Sequence, residues 1–260
     1  MDKAIASSLN DFAEKNFIKP PQIVGGYVRD IVLGRELSSP DIDLTTNNSD
    51  ITRLAVGFAA EYGYFFKVFE DLHTTIYLDQ KKNLDFSSNF NSKKAIDFFK
   101  NSNFSDKKYY EVISRDFSIN TLHMDISSSN IIDMLSIGLK DIEDKVIKPV
   151  SNAEICFSDD PRRIYRAAAL SAKLNFRIDK SIVKFAVENK ELFSINNPAV
   201  KDSYILSTLE KAIGFNDDLL IDNLISLNVL KNVPLIGRLK DLLIAKNRIN
   251  TYLDMQSNLY

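Results

Sequence analysis

The rhythm of apolar and polar positions changes near residue 150. Before it, short apolar runs such as QIVGG at 22–26, IDLTT at 42–46, YFFKVF at 64–69, TIYL at 75–78 and NLDFSS at 83–88 are separated by turn signals. Between them lie patterns of helical spacing at 27–34, 49–62 and 115–124. From about residue 153 the strand signals stop, and apolar residues recur at intervals of three and four. Ile164, Ala168 and Leu170 form one such set, followed by Ile182, Phe185 and Ala186, then Leu206, Leu209 and Ile213, and then Leu219, Leu220 and Leu224. These patterns predict a mixed α and β first half, residues 1–150, and an entirely helical second half, residues 151–260. At the N-terminus Ile5, Leu9, Phe12 and Phe17 sit at helical spacing among charges, which reads as an amphipathic helix and not a signal peptide. The stretch 87–110 is polar, rich in Lys and Asn, and reads as a mobile insertion.

Composition adds limits more than it adds function. At 260 residues and 45% hydrophobic content the chain can bury one large core or two modest ones. The single cysteine, Cys156, has no internal disulfide partner and reads as a small buried residue, so the expected home is a reducing compartment such as the cytoplasm. No apolar run approaches membrane-spanning length, and no membrane role is expected. The net charge of −2 gives no overall basic footprint, so any RNA contact must come from a local patch.

The chemistry concentrates in acids and glycines. In Asp41-Ile42-Asp43-Leu44 the alternation of a strand sends both acids to one face and both apolar residues behind them. Two carboxylates held together repel, and a divalent cation relieves that repulsion; oxygen-only ligands suit Mg²⁺. Asp85, in Asn83-Leu84-Asp85-Phe86, would complete this site, as a third acid or as the acceptor of a hydroxyl proton, if its strand ran beside that of Asp41 and Asp43. Taken alone, each of these acids also suits a solvated turn or an exposed strand. Upstream, Ile23-Val24-Gly25-Gly26-Tyr27-Val28-Arg29-Asp30 runs from a strand through paired glycines into a helix, a geometry that lets backbone approach phosphate. Arg29 could clamp that phosphate or pair with an acid. His73 and His123 lack Cys or His partners at metal spacing and read as structural.

In their order these residues resemble the class II tRNA nucleotidyltransferase and bacterial poly(A) polymerase family. The family element GGxVRDxLLG followed by DxD is matched by GGYVRDIVLGRELSSPDIDLTT, RRDFTINA by SRDFSINTL at 114–122, and EDPxRxxRAxRFxxxLxFxID by DDPRRIYRAAALSAKLNFRID at 159–179. The likeness covers roughly residues 22–180. It implies an α+β fold, with a polymerase-β-like nucleotidyltransferase head of mixed sheet and helices over 1–150, and an all-helical neck and reduced body over 151–260. It further implies template-independent addition of C and/or A to the tRNA 3′ end from CTP and ATP, with Mg²⁺. Gly25, Gly26 and Arg29 would hold the triphosphate, Asp41 and Asp43 the metals, and Asp85 the third acidic position. Arg115 and Asp116 would approach the ribose, with Asn120 supporting their segment as a helix. Asp160 and Arg163, with Arg166 nearby, would face the incoming base, an Asp accepting from an exocyclic amine and an Arg donating to a ring acceptor. Asp160 also suits a plain helix cap before Pro161, and Arg163 and Arg166 suit a charged surface. Ser114 replaces the first Arg of RRD, Asp159 replaces Glu, Ala169-Leu170 replaces Arg-Phe, and Ser88-Asn89 follows the third acid where Thr and Arg are usual. A poly(A) polymerase and a catalytically inactive RNA-binding protein are the competing readings on the same fold.

Overall fold

The computed structural model describes residues 1–35, 41–46, 50–70, 73–80, 82–87, 91–246 and 254. Pro40, Ser88 and Asn89 of the sequence reading lie outside them. The chain divides into two compact units, Met1–Ile142 and Glu143–Tyr260.

In the first unit the elements run α1 (Lys3–Lys15), β1 (Gln22–Val24), α2 (Gly26–Val32), β2 (Asp41–Thr45), α3 (Asp50–Tyr62), β3 (Phe65–Val68), β4 (Thr74–Tyr77), β5 (Asn83–Phe86), α4 (Lys93–Phe99), α5 (Tyr110–Ile113), β6 (His123–Asp125), β7 (Ile131–Ile132) and α6 (Gly138–Glu143). Among the described residues the strands form one sheet in the order β3-β4-β5-β2-β1-β6-β7. Its pairs are antiparallel except β2 with β5, which is parallel; α3, β3 and β4 supply the long connection that a parallel pair requires. Ile23, Leu44, Ile76, Leu84 and Phe86 from the strands and Leu54 and Phe58 from α3 are all buried, forming a core against one face. α1 crosses α3 closely enough that a Cβ on Gly57 would lie 2.8 Å from Phe12 Cζ, so glycine is needed there for the two helices to meet.

Three expectations are corrected in this unit. Phe17 is outside α1, in a positive-φ turn and 95% exposed; Leu9, Phe12 and Ala13 make the buried stripe. The stretch 115–124 holds one 3₁₀ turn (Ser118–Asn120) and the start of β6, not a helix. The backbone at Phe117 is extended, and every residue from 116 to 124 is buried, polar and apolar alike, so burial here follows no helical stripe. The region 87–110 contains α4 and a 3₁₀ turn (Lys107–Tyr109), tied down by a run of ring contacts from Phe98 to Phe99, Phe104 and Tyr109. Polarity concealed this because the aromatic residues are spaced irregularly.

The second unit holds β8 (Val146–Ile147), α7 (Ala153–Asp159), α8 (Arg163–Leu174), β9 (Arg177–Ile178), α9 (Lys180–Glu188), α10 (Asp202–Glu210), α11 (Asp217–Ser226) and α12 (Gly237–Ala245). It is not wholly helical, since β8 and β9 pair in parallel, Val146 opposite Arg177. That pairing also draws 143–150 into this unit, so the division falls ahead of residue 150. α8 is the central element. It is buried at Arg163, Ile164, Tyr165, Ala167, Ala168 and Ala169, and the Tyr165 hydroxyl donates to the Phe193 carbonyl at 2.8 Å. Cys156 is buried. No helix among the described residues is long and apolar enough to cross a membrane.

Candidate nucleotidyl-transfer site

β2 alternates as its sequence dictates. Ile42 and Leu44 are buried, and Asp41 and Asp43 point outward from the same face. The parallel register with β5 places Asp43 opposite Asp85, so three acids from two adjacent strands share one face of the sheet. Asp41 Oδ1 accepts from Asn83 Nδ2 at 3.0 Å, across the same strand pair. Asp85 is held more tightly: Thr75 donates to its Oδ1 at 2.6 Å, and His73 Nε2 lies 3.3 Å from the same oxygen. Burial raises its pKa, but the hydrogen bonds from His73 and Thr75 outweigh this, and it rests below the usual carboxylate range. Asp43 shifts the other way. Its surface is open to water, yet surrounding protein displaces enough solvent to raise its pKa; Arg115 opposes the rise, while Asp85 and Asp41 add to it. Two neighbouring acids are therefore driven apart in proton affinity by their surroundings.

Gly25 brings the backbone into this cluster. It is the N-cap of α2, with φ 75° and ψ −139°, a conformation for which glycine alone is suited. A Cβ there would lie 2.9 Å from Arg115 Nη1 and 3.3 Å from Asp43 Oδ2, so the turn, the arginine and the acid are in mutual contact distance. Gly26 follows as the first residue of α2, in contact range of Arg29.

Arg29 itself turns inward. It is 4% exposed, its Nε donates to Asp30 Oδ1 at 2.9 Å, and its Nη1 donates to Asn120 Oδ1 at 2.7 Å. Asn120 in turn donates to Asp116 Oδ1 at 3.0 Å, and Phe117 N donates to the same oxygen. The Arg29–Asn120–Asp116 chain thus fixes the segment after Arg115 against α2. Ser114, standing where the family has arginine, is fully buried: its hydroxyl donates to the Tyr110 carbonyl and accepts from Ser92 N at 2.8 Å, tying the start of α4 to α5.

In the second unit Asp160 ends α7. Its Oδ1 accepts from the backbone N and Nε of Arg162 at 3.0 and 2.8 Å, and its Oδ2 accepts from Arg162 Nη2 at 3.0 Å. Arg162, which the sequence reading passed over, also lies over the Tyr204 ring, 4.9 Å from its centroid. Arg163 is buried, with Nη1 donating to the Cys156 carbonyl at 3.2 Å and Nη2 3.6 Å from Asp159. Arg166 is exposed on the same helix. Asp160 and Arg163 therefore engage different partners: an arginine beside the acid in one case, the end of α7 in the other.

The sequence reading passed over Glu111 and took His123 as structural without finding its neighbour. Both are buried, and their side chains meet at 3.2 Å, with Arg115 on the other oxygen of Glu111. A glutamate four residues before Arg115 was the available signal, since that spacing stacks two side chains on one helical face.

Comparison with known proteins agrees with this geometry. Residues 22–148 match the model of the poly(A) polymerase head domain. A tRNA nucleotidyltransferase of Schizosaccharomyces pombe is 29% identical over 237 residues, covering 80% of this chain and 46% of that protein. The CCA-adding enzyme of Streptococcus mutans is 30% identical over 162 residues, covering 60% of this chain and 37% of that one. The chain thus spans less than half the length of these two relatives. A solved tRNA nucleotidyltransferase in complex with a primer tRNA and an incoming ATP analogue superposes with a TM-score of 0.67 at 23% identity, over 86% of this chain and 62% of that one, and shows the shared fold. With residues 22–148 matching the poly(A) polymerase head domain and its acids paired across β2 and β5, the chain is similar to the class II tRNA nucleotidyltransferases and poly(A) polymerases.

Proposed function

We propose that this chain adds C and/or A nucleotides to the 3′ end of tRNA from CTP and ATP, releasing pyrophosphate. The observation that carries the reading is the register of Asp43 against Asp85, with Asp41 two residues along the same face and Arg115 packed between Asp43 and the Gly25 turn. The donor set fits a hard divalent cation such as Mg²⁺. Asp41 and Asp43 would supply two carboxylates, the remaining positions being left to water and substrate phosphate, as Mg²⁺ favours. When bound, such ions offset the negative charge gathered on the acids and on the reacting phosphate.

In this scheme the RNA 3′ hydroxyl loses its proton to Asp85 or to solvent, its oxygen bonds to the α-phosphorus, the bond from that phosphorus to the α–β bridging oxygen breaks, and pyrophosphate departs. Arg115 and the α2 N-terminus at Gly25 and Gly26 face the triphosphate. Arg29 acts through Asn120 and Asp116, setting the segment that approaches the ribose. Asp85, held by Thr75 and His73, would stand as the third acid of the site or accept the proton of the attacking hydroxyl. Asp160, Arg163 and Arg166 are assigned to base selection, which requires Asp160 to exchange Arg162 for a base edge. The single buried cysteine suits a reducing compartment such as the cytoplasm.

The test is incubation of the chain with tRNA transcripts ending before, within and after CCA, each with one NTP, and product lengths read on a gel. Addition should stop at the terminal A. Open-ended growth with ATP would favour poly(A) synthesis instead. Asp41→Ala and Asp43→Ala should each abolish addition with melting temperature preserved, and substantial addition by both would overturn the metal assignment.

A further inference from the structure

Behind Arg115 lies a line of polar side chains, the buried Glu111 and His123 and the partly buried Gln22, that the transfer chemistry leaves unused. Gln22 opens β1 and His123 opens β6, strands that pair directly, and Gln22 Oε1 lies 2.9 Å from His123 Nδ1. The His123 ring is fully buried, and its Nε2 is 3.2 Å from Glu111 Oε2. The other Glu111 oxygen accepts from Arg115 Nη2. Arg115 Nη1 then reaches the space over Gly25 beside Asp43. Four side chains thus lead from the middle of the sheet to the candidate catalytic acid.

A carboxylate with only 9% of its side chain exposed is unfavourable unless positive charge surrounds it. Burial pushes the Glu111 pKa up, but Arg115 on one side and His123 on the other reverse this and hold it near 2. The proton arrangement at His123 follows from its neighbours. If the Gln22 oxygen faces Nδ1, that nitrogen carries hydrogen, and Nε2 must also carry one to face a carboxylate. If the Gln22 amide is turned, Nδ1 accepts and Nε2 again carries the hydrogen. Either way a proton on Nε2 confronts Glu111. The two atoms approach within 3.2 Å without the alignment of a hydrogen bond.

We infer that Glu111 and His123 are positioning residues that hold the Arg115 guanidinium between Asp43 and the Gly25 turn, and so set its geometry toward the nucleotide phosphates. The ion pair alone leaves Arg115 a choice of orientation. His123, anchored in the sheet through Gln22, fixes the carboxylate plane, and this fixes the guanidinium. Arg115 Nε, buried and without a hydrogen-bond partner among the described residues, reports that the group is held by its tip and not by its stem.

The inference rests on the proposed nucleotidyl transfer only in assigning Arg115 to the nucleotide. Its test uses Glu111→Gln, His123→Gln, Arg115→Gln and the Glu111→Gln/Arg115→Gln double variant of the full chain. Equilibrium binding of CTP and ATP is measured with Ca²⁺ in place of Mg²⁺, and the Arg115 Nε–H signal is followed by ¹⁵N NMR, assigned by its loss in Arg115→Gln. Glu111→Gln should weaken nucleotide binding about tenfold, the scale for residues that orient a ligand's partner, and should broaden or abolish the Nε–H signal. His123→Gln should move both readouts in the same direction by less. The double variant should bind no more weakly than Arg115→Gln alone, because the effect passes through Arg115. Additive losses, or unchanged binding and an unchanged signal in Glu111→Gln, would overturn the inference. Should Glu111→Gln fail to fold, an unaltered Nε–H signal in His123→Gln would overturn it. A wild-type chain that adds no nucleotide but shows a sharp Nε–H signal sensitive to Glu111→Gln would refute the proposed function and leave the positioning intact.

Discussion

Substituting Gly25 by alanine separates backbone strain from collision at the site. At φ 75° and ψ −139° the residue occupies a region that costs a side-chain-bearing residue roughly 1–3 kcal/mol. The added Cβ would also sit 2.9 Å from Arg115 Nη1 and 3.3 Å from Asp43 Oδ2. A flexible arginine would swing away at little cost, but this one is tied to Glu111, so either that pair breaks or the turn shifts. Gly34 is the control. Its φ of 63° carries the strain of a left-handed residue, about 1 kcal/mol, while no described atom lies within 4 Å of a Cβ placed there. At about 3 °C per kcal/mol for a chain of this size, Gly34→Ala should melt a few degrees early and Gly25→Ala somewhat earlier still. Nucleotide incorporation should split the two variants far more widely. Gly34→Ala should retain it, and Gly25→Ala should lose about 100-fold, the scale of an ångström of misplacement at a reacting centre. Melting temperatures and single-nucleotide incorporation rates from the same preparations decide the matter. Equal activity in the two variants would refute the close approach of the Gly25 turn to Arg115 and Asp43.

Base selection gives the second comparison: if Asp160 and Arg163 read the base, alanine at either should erode discrimination among the four NTPs by roughly 1–3 kcal/mol. If Asp160 serves only to order the start of α8 through Arg162, Asp160→Ala should cost about 0.5–2 kcal/mol of stability and leave nucleotide preference unchanged; incorporation of each NTP beside thermal melting tells these apart. The depressed Glu111 pKa predicts acid sensitivity. With a folded value of about 2 against an ordinary 4.5, the unfolded chain binds the extra proton, so this contribution is complete above pH 4.5 and is lost as pH falls toward 2. Its size is on the order of 3 kcal/mol, and urea unfolding of the wild type between pH 5 and 3 should show a steeper fall than Glu111→Gln; parallel slopes would show that Glu111 does not carry it.

What could be read from sequence was what local periodicity controls. The parity of Asp41, Ile42, Asp43 and Leu44 fixes which side chains share a face, because successive residues of a strand alternate whatever the strand pairs with. The partner strand is another matter. Asp85 meets Asp43 only because β2 and β5 run parallel across forty intervening residues, a long-range choice that no local spacing encodes. The same limit explains the misread helix at 115–124, where Phe117, Ile119, Leu122 and Met124 satisfy a loose helical count but are buried by a turn and a strand joining an existing sheet.

Buried charges mark where sequence leaves a side chain's orientation open for a physical reason. Arg29 and Arg163 are residue types expected in water, and a motif that places them near phosphate or base suggests that they face outward. Both are under 5% exposed, Arg29 paired to Asp30 and the Asn120 side-chain oxygen, and Arg163 to the Cys156 carbonyl. A charge leaves water only if its partners are in place, and for Arg29 these include both the adjacent Asp30 and the distant Asn120, the second of which no local spacing announces. Glu111 and His123 show the converse. Neither belongs to a stretch that invites a chemical reading, yet their burial is tolerable only because Arg115 and Gln22 complete the chain of contacts. Motifs therefore name the groups that can meet a nucleotide, while the energetic demand of burying charge decides which of them are held rigid, and toward what.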